Sequence, residues 1–316
     1  MMRNILLAIL LLGGIAVSGQ KKHVCFTIDD LPVVSYGEYD TIVQQRIMNN
    51  LILSLKKNKI PAIGFVIEQN LYNDKGLRNP FEIHLLNQWL NNGFALGNHT
   101  YSHPDYSAIS FREYAHEILQ GEIITKEILR RKGLKPTYFR APYLHVGNTK
   151  AKADSLSTFL TEHGYTMAPV TIDDEDYAFA YAYYQAKAQN DTALAARVGR
   201  DYLSYMETAI HYYEAESNRL LGRYINQIVL LHASRLNSEY IPALAAIFKK
   251  NGYDFIDIKK TLKDQAYQSP ITIYGDWGSS WIERWALSQS KKENFFYGLP
   301  APIVPDYIRK IVASAP

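Results

Sequence analysis

Short runs of β-branched and aromatic residues alternate with amphipathic segments along this chain, and that alternation restricts its fold more than any other feature. The runs are His23 to Ile28, Ala62 to Ile67, Phe94 to Gly97, Thr137 to Arg140, Tyr165 to Ile172, Gln227 to His232 and Tyr253 to Ile256. Between them, Thr41 to Lys57, Pro80 to Asn91, Phe111 to Arg131, Thr149 to Glu162 and Ser238 to Lys249 carry apolar residues at helical spacing. Strands alternating with helices argue for a parallel sheet with helical crossovers, either an open doubly wound sheet or a barrel. Asn92-Gly93 and Asn251-Gly252 place a glycine just past a helix and just before a strand, where a left-handed cap is wanted. No glycine-rich phosphate loop is present, which disfavours nucleotide cofactors.

In a parallel sheet or barrel, sites are built at the C-terminal ends of the strands. Here those ends carry a marked set of polar residues. The first strand delivers adjacent carboxylates, Asp29 and Asp30. The third delivers His99 and His103, four apart, a spacing that on a helical turn lets two imidazoles reach one ion. The fourth ends in Arg140-Ala141-Pro142-Tyr143, whose guanidinium is costly at a strand end unless it meets a carboxylate. The fifth gives Asp173-Asp174-Glu175-Asp176-Tyr177, and Gln227 to Leu231 leads into His232.

Composition narrows the partners. Lys and Arg number 34 against 31 Asp and Glu, a net of +3 with no basic run, so nucleic acid is not expected. One cysteine, Cys25, excludes an internal disulfide framework and leaves any metal to His and carboxylates; inside a strand it reads as a buried free thiol. The 24 Tyr against 12 Phe suit polar, ring-shaped ligands such as sugars, although any one Tyr can equally pack at the rim of a core. Arg3 and Asn4 precede the apolar run Ile5 to Val17, which ends in Ser18-Gly19. Thirteen residues are short of the roughly 20 a membrane span needs, and the pattern is that of a secretory signal, residues 1–19. The remainder, 20–316, is expected to be one exported domain with no stable membrane span, periplasmic or extracellular.

Five segments, Thr27 to Asp30, His99 to His103, Arg140 to Tyr143, Asp173 to Tyr177 and Val229 to His232, resemble in order the motifs of the polysaccharide deacetylase family. This is carbohydrate esterase family four, built on the NodB-homology domain. The likeness spans about 204 residues, Asp29 to His232, and is most specific over Gly97 to Asp105. It implies a distorted (β/α) barrel, from which a helical insertion at about 177–225 and a C-terminal extension at about 260–316 depart. It also implies a metal-dependent hydrolase that removes N-acetyl, or else O-acetyl, groups from an acetylated glycan or amino sugar. By the same resemblance Asp30, His99 and His103 hold one divalent metal, zinc before cobalt, nickel or iron. Asp29 is then the base acting on metal-bound water, Arg140 pairs with it, and the Tyr143 backbone N–H stabilises the oxyanion. His232 is the acid, held by Asp176, with Asp173 or Asp174 as alternatives.

Departures from the family pattern fall around the site: Ile28 for Phe, Leu31 for Gly, Leu144 for Gly, Ala233 for Asp and Tyr177 for Trp. None removes a ligand or proton carrier. Between Asp176 and His232 lie 55 residues, in which Leu194, Val198, Tyr202, Met206, Ile210 and Tyr213 recur at helical spacing and Tyr177, Tyr181 and Tyr184 suggest a second helix. This insertion is read as a lid over the cleft or a helical pair on the flank. Trp277, Trp281 and Trp285 read as burial before a sugar-stacking platform, on a short helix opened by Ser280 and Glu283.

Overall fold

The computed structural model describes residues 21–37, 39–292 and 294–315; the leader expected at 1–19 lies outside them. All seven strands pair in parallel: β1 (Lys22–Leu31), β2 (Ile63–Val66), β3 (Ala95–Asn98), β4 (Tyr138–Phe139), β5 (Thr166–Met167), β6 (Gln227–His232) and β7 (Tyr253–Phe255). Their order is β5-β4-β3-β2-β1-β6, with β7 on the start of β1. The stretch after β5 curls this sheet towards closure. The Ala168 N–H bonds the Phe139 carbonyl, and four residues on Ile172 bridges Val229 of β6. Residues 168–172 thus complete a distorted parallel barrel. They were expected to belong to one strand from Tyr165 to Ile172, but Pro169 has no N–H for a ladder, and only Thr166–Met167 is regular.

Alternation along β1 sorts its side chains. Val24, Phe26 and Ile28 face outward into a cluster that includes Met48 and Leu51 of α1 (Thr41–Lys57). Cys25 faces inward with Ile63, Phe65, Ala168 and Ile228. It is a free, buried thiol whose pKa burial pushes up to about 12, which makes it inert packing. The crossover α2 (Pro80–Asn91) opens on Asn79, which caps the Phe81 N–H, and Pro80, which needs no N–H partner. The single helix expected over Phe111 to Arg131 is two, α3 (Phe111–Gln120) and α4 (Ile123–Arg130). They part at Gly121, where a Cβ would lie 2.5 Å from the Thr100 carbonyl carbon, so the break lets the loop after β3 pass directly against the backbone. Next comes α5 (Lys150–Glu162).

The insertion forms α6 (Asp176–Ala188) and the 30-residue α7 (Thr192–Leu221), which Asp191 caps at its start and Gly222, at φ 68°, ends. The stripe Val198, Tyr202, Met206, Ile210 and Tyr213 is buried as its spacing predicts. In α6 the core side is instead Ala178, Phe179, Ala182, Tyr183 and Ala186, while Tyr177, Tyr181 and Tyr184 lie on a more exposed side. Then follow α8 (Arg235–Lys250), α9 (Ile258–Thr261), α10 (Trp281–Ser288) and α11 (Asp306–Ala313). Trp281 and Trp285 are buried, the latter against Tyr267, so these two indoles pack and do not form an open platform. Ser280 caps α10 by accepting the Ile282 N–H. No helix of the described residues is long and apolar enough to cross a membrane.

Glu216 on α7 is fully buried, and no well-formed hydrogen bond reaches its carboxylate oxygens; the neighbouring Tyr212 hydroxyl offsets the burial only in part. Burial, reinforced by the charge of Glu283, pushes its pKa up to about 8. An unfolded chain ionises this group near its ordinary 4.5, so stability falls as pH rises from there to about 8. Glu216→Met is expected to be more stable than the parent at pH 8 by roughly 1–3 kcal/mol, the cost of an unpaired buried polar group. The gain should shrink as pH approaches 4.5, as read by denaturant unfolding at both values.

Candidate active site

Adjacent residues on a strand point to opposite faces, so Asp29 and Asp30 could not both serve one site on a regular β1. The ladder to β2 runs Ile28 with Gly64, then Leu31 with Val66, which leaves one extra residue on β1. This bulge, with Asp30 at φ 61°, turns the second carboxylate back beside the first. Asp30 Oδ1 lies 3.4 Å from His99 Nε2 and 3.7 Å from His103 Nε2, and Asp29 Oδ2 lies 3.8 Å from His99 Nε2.

The two histidines do not meet on a helical turn, as their spacing suggested. They sit in an irregular loop after β3, where Thr100 (φ 68°) and His103 (φ 60°) are both left-handed. Asn98 holds that loop: its Oδ1 accepts the Thr100 N–H at 2.7 Å, and its Nδ2 donates to the Ile118 carbonyl at 2.8 Å and the Tyr165 hydroxyl at 3.1 Å. The Thr100 hydroxyl in turn accepts the His103 N–H. His99 Nδ1 lies 2.9 Å from the Arg140 carbonyl; donating there, it keeps the lone pair of Nε2 free. One donor atom from each of Asp30, His99 and His103 lies within 4.8 Å of the others, and Asp30 Oδ1 is buried with no hydrogen-bond partner. Two imidazoles and a carboxylate with an orphaned oxygen fit a divalent cation. Burial opposes ionisation of Asp30, but the imidazoles around it, His99 foremost and then His232 and His103, outweigh it and hold the carboxyl below its ordinary range.

Beneath this cluster Arg140 is completely buried. Its Nη1 reaches Asp29 Oδ2 at 3.3 Å, Nη2 donates to Thr27 Oγ1, and Nε donates to the Ala168 carbonyl. The guanidinium lies 4.8 Å from the centre of the Phe65 ring. Across the cleft, His232 Nδ1 donates to Asp176 Oδ1 at 2.6 Å, and the other Asp176 oxygen accepts the His232 N–H. Burial disfavours the charged imidazole, but Asp176 more than compensates and raises its pKa to about 10. Asp173 and Asp174 line the same cleft without bonding His232; Asp174 accepts the Asp176 N–H. Asn237, unmarked in the sequence reading, donates to Asp176 Oδ2 at 2.6 Å and accepts from the hydroxyl of Tyr202. The only sequence signal for Asn237 was an amide in the first turn of the helix that follows His232.

The cleft holds about 720 Å³ and is also lined by Tyr36, Tyr143, Tyr177, Tyr181 and Val312. Tyr143, at φ 55° and 57 % exposed, stacks edge-on to His103 with ring centres 4.7 Å apart. The insertion therefore does neither of the two things expected of it alone. The start of α6 walls the cleft, whereas α7 packs on the flank and reaches the site through the Tyr202–Asn237 hydrogen bond and through the Tyr205 hydroxyl, which accepts the Glu175 N–H. Tyr36 and Val312 were missed because neither belongs to a motif. Replacing Arg140 with Met leaves Asp29 buried without its cation, and a loss of about 3–5 kcal/mol in denaturant unfolding at pH 7 is expected.

Residues 16–167 match the family model described as polysaccharide deacetylase. Among curated proteins, the chain is 25 % identical over 158 residues to a peptidoglycan-N-acetylglucosamine deacetylase of Bacillus cereus, covering 50 % of this chain and 47 % of that one. It is 38 % identical over 88 residues to a chitin deacetylase of Arthroderma benhamiae, covering 28 % and 22 %. Each alignment thus takes in less than half of the relative. A solved peptidoglycan deacetylase, PdaC of Bacillus subtilis, superposes with a TM-score of 0.48 at 19 % identity, over 77 % of this chain and 90 % of that one. The order of the motifs and the family match agree: residues 16–167 belong to a domain of the polysaccharide deacetylase family.

Proposed function

We propose that the protein is an exported, metal-dependent deacetylase that hydrolyses N-acetyl groups on a carbohydrate. N-acetylglucosamine polymers of the cell-wall or chitin type lead as substrates, a choice supported by what the relatives are named for. The observation that carries the reading is the pairing of two proton carriers across one cleft, Asp29 fixed by Arg140 and His232 fixed by Asp176, on either side of Asp30, His99 and His103. Acid and base need opposite protonation states, and separate partners give each group its own. A divalent ion held by Asp30, His99 and His103, zinc or else cobalt, nickel or iron, would supply Lewis-acid polarisation of the acetyl carbonyl and ease the deprotonation of water.

The chain's own residues do the rest. Asp29 takes a proton from the attacking water as its oxygen bonds the carbonyl carbon. The Tyr143 N–H steadies the negative charge that gathers on the carbonyl oxygen. His232 gives its proton to the leaving nitrogen as the carbon–nitrogen bond breaks, so one water is consumed and acetate and a free amine are released. Tyr36, Tyr143, Tyr177 and Tyr181 offer ring faces with polar edges to a sugar. Export rests on the leader-like residues 1–19.

The test is acetate release from chitin oligomers and peptidoglycan by the metal-loaded chain. Asp30→Ala and His99→Ala should lose metal, measured by elemental analysis after dialysis. Asp29→Ala should keep the metal and lose turnover by about 10²–10⁴-fold. Formate release or ring opening in place of acetate would move the reaction to another carbon–nitrogen bond, and glycan binding without any released acid would overturn the enzyme reading.

A further inference from the structure

We propose that Arg284, from the C-terminal extension, is a positioning residue: it clamps the turn Pro142–Leu144 so that the Tyr143 N–H faces the cleft. This rests on the role proposed above for that N–H. Arg284 sits on α10 and is 3 % exposed. It donates from Nη2 to the Leu144 carbonyl at 2.8 Å and to the Trp277 carbonyl at 3.2 Å, and from Nε to the Ser279 carbonyl at 3.2 Å. Its guanidinium carbon lies 4.8 Å from the ring centres of both Trp277 and Trp281. Its recorded hydrogen bonds all end on backbone carbonyls, so a buried cation is being used as a strut between the tail and the turn.

The turn needs such a hold. Tyr143 (φ 55°) and Leu144 (φ 57°) are successive left-handed residues, and neither is glycine. Side chains with a Cβ occupy that region only when their surroundings impose it. The Pro142 carbonyl accepts the His145 N–H, and the Tyr143 N–H points the opposite way across the same planar peptide. On the far side His145 is fixed by Asp105 at 2.6 Å. On the tail side the backbone of Gly278 lies so close that a Cβ there would be 1.9 Å from the Tyr143 carbonyl oxygen. The extension therefore grips two consecutive carbonyls of the turn, Tyr143 through Gly278 and Leu144 through Arg284.

The experiment compares Arg284→Met in the parent and in a Leu144→Gly background, because glycine takes the left-handed conformation without a clamp. In the parent background, Arg284→Met should lower kcat at least ten-fold, with KM within two-fold and metal content unchanged. In the Leu144→Gly background the same change should cost less than three-fold. Hydrogen exchange at Leu144 and His145 should rise in Arg284→Met whether or not substrate is turned over. Should Arg284→Met fail to fold, Gly278→Ala presses on the same turn, and the same fall in kcat with the same rise in exchange is expected of it. An unchanged kcat in a folded variant, or equal losses in both backgrounds, overturns the clamp. A parent protein that releases no acetate from any glycan overturns the functional reading instead, and the exchange rates then decide the clamp alone.

Discussion

A single buried guanidinium ties the mouth of this barrel together. Arg140 leaves the end of β4, meets Asp29 and Thr27 of β1, and donates to the carbonyl of Ala168 where the chain turns to close the barrel. Its own carbonyl receives His99 from β3. Burying the Asp29 carboxylate among apolar strands is costly without an opposing charge. The guanidinium supplies that charge and, through its fixed fork, the spacing of the elements around it. Asp29, His99 and the closing segment 168–172 all take their positions with reference to this one group.

Around it the backbone is held in conformations the chain would not choose alone. Asp30, Thr100, His103, Tyr143 and Leu144 are five of the nine non-glycine residues with positive φ among those described. Each is held in place: by the bulge against β2 for Asp30, by Asn98 and the Thr100 hydroxyl for the histidine loop, by the tail for Tyr143 and Leu144. Such strain persists only where the surroundings over-determine it. The parts of the chain beyond the matched residues 16–167 are therefore tied to the site directly, through Arg284, through Asp176 and through Tyr202 acting on Asn237.

Much of this was legible in the sequence because its signals are local. Strand positions follow from runs of β-branched and aromatic residues, and the buried stripe of α7 follows from spacing at three and four. That Asp29, Asp30, His99, His103, Arg140, His232 and the segment Asp173 to Tyr177 gather on one face could be anticipated from their places at strand ends; which of them belong together came only from the family resemblance. What escaped was set by geometry that no local pattern encodes. The tyrosines of α6 marked a helix by their spacing, but the small residues between them pack more closely on α7 and α8, which leaves the rings toward the cleft and Tyr36. The helix break at Gly121 depends on the approach of Thr100, and the histidine loop on side-chain bonds from Asn98. Arg284 and Asn237 gain their roles from partners 140 and 61 residues away.

Asp29 and His232 are direct partners in the parallel ladder between β1 and β6. The first strand therefore has its neighbour near the far end of the polypeptide, and pairings of such long sequence separation form slowly. A chain that emerges amino terminus first carries Asp30, His99, His103 and Arg140 early, but Asp29 has no His232 opposite it until β6 arrives. The two proton carriers proposed above come together only when the barrel does. On the function proposed above, a partly made chain would therefore lack the acid opposite its base even where Asp30, His99 and His103 have already met.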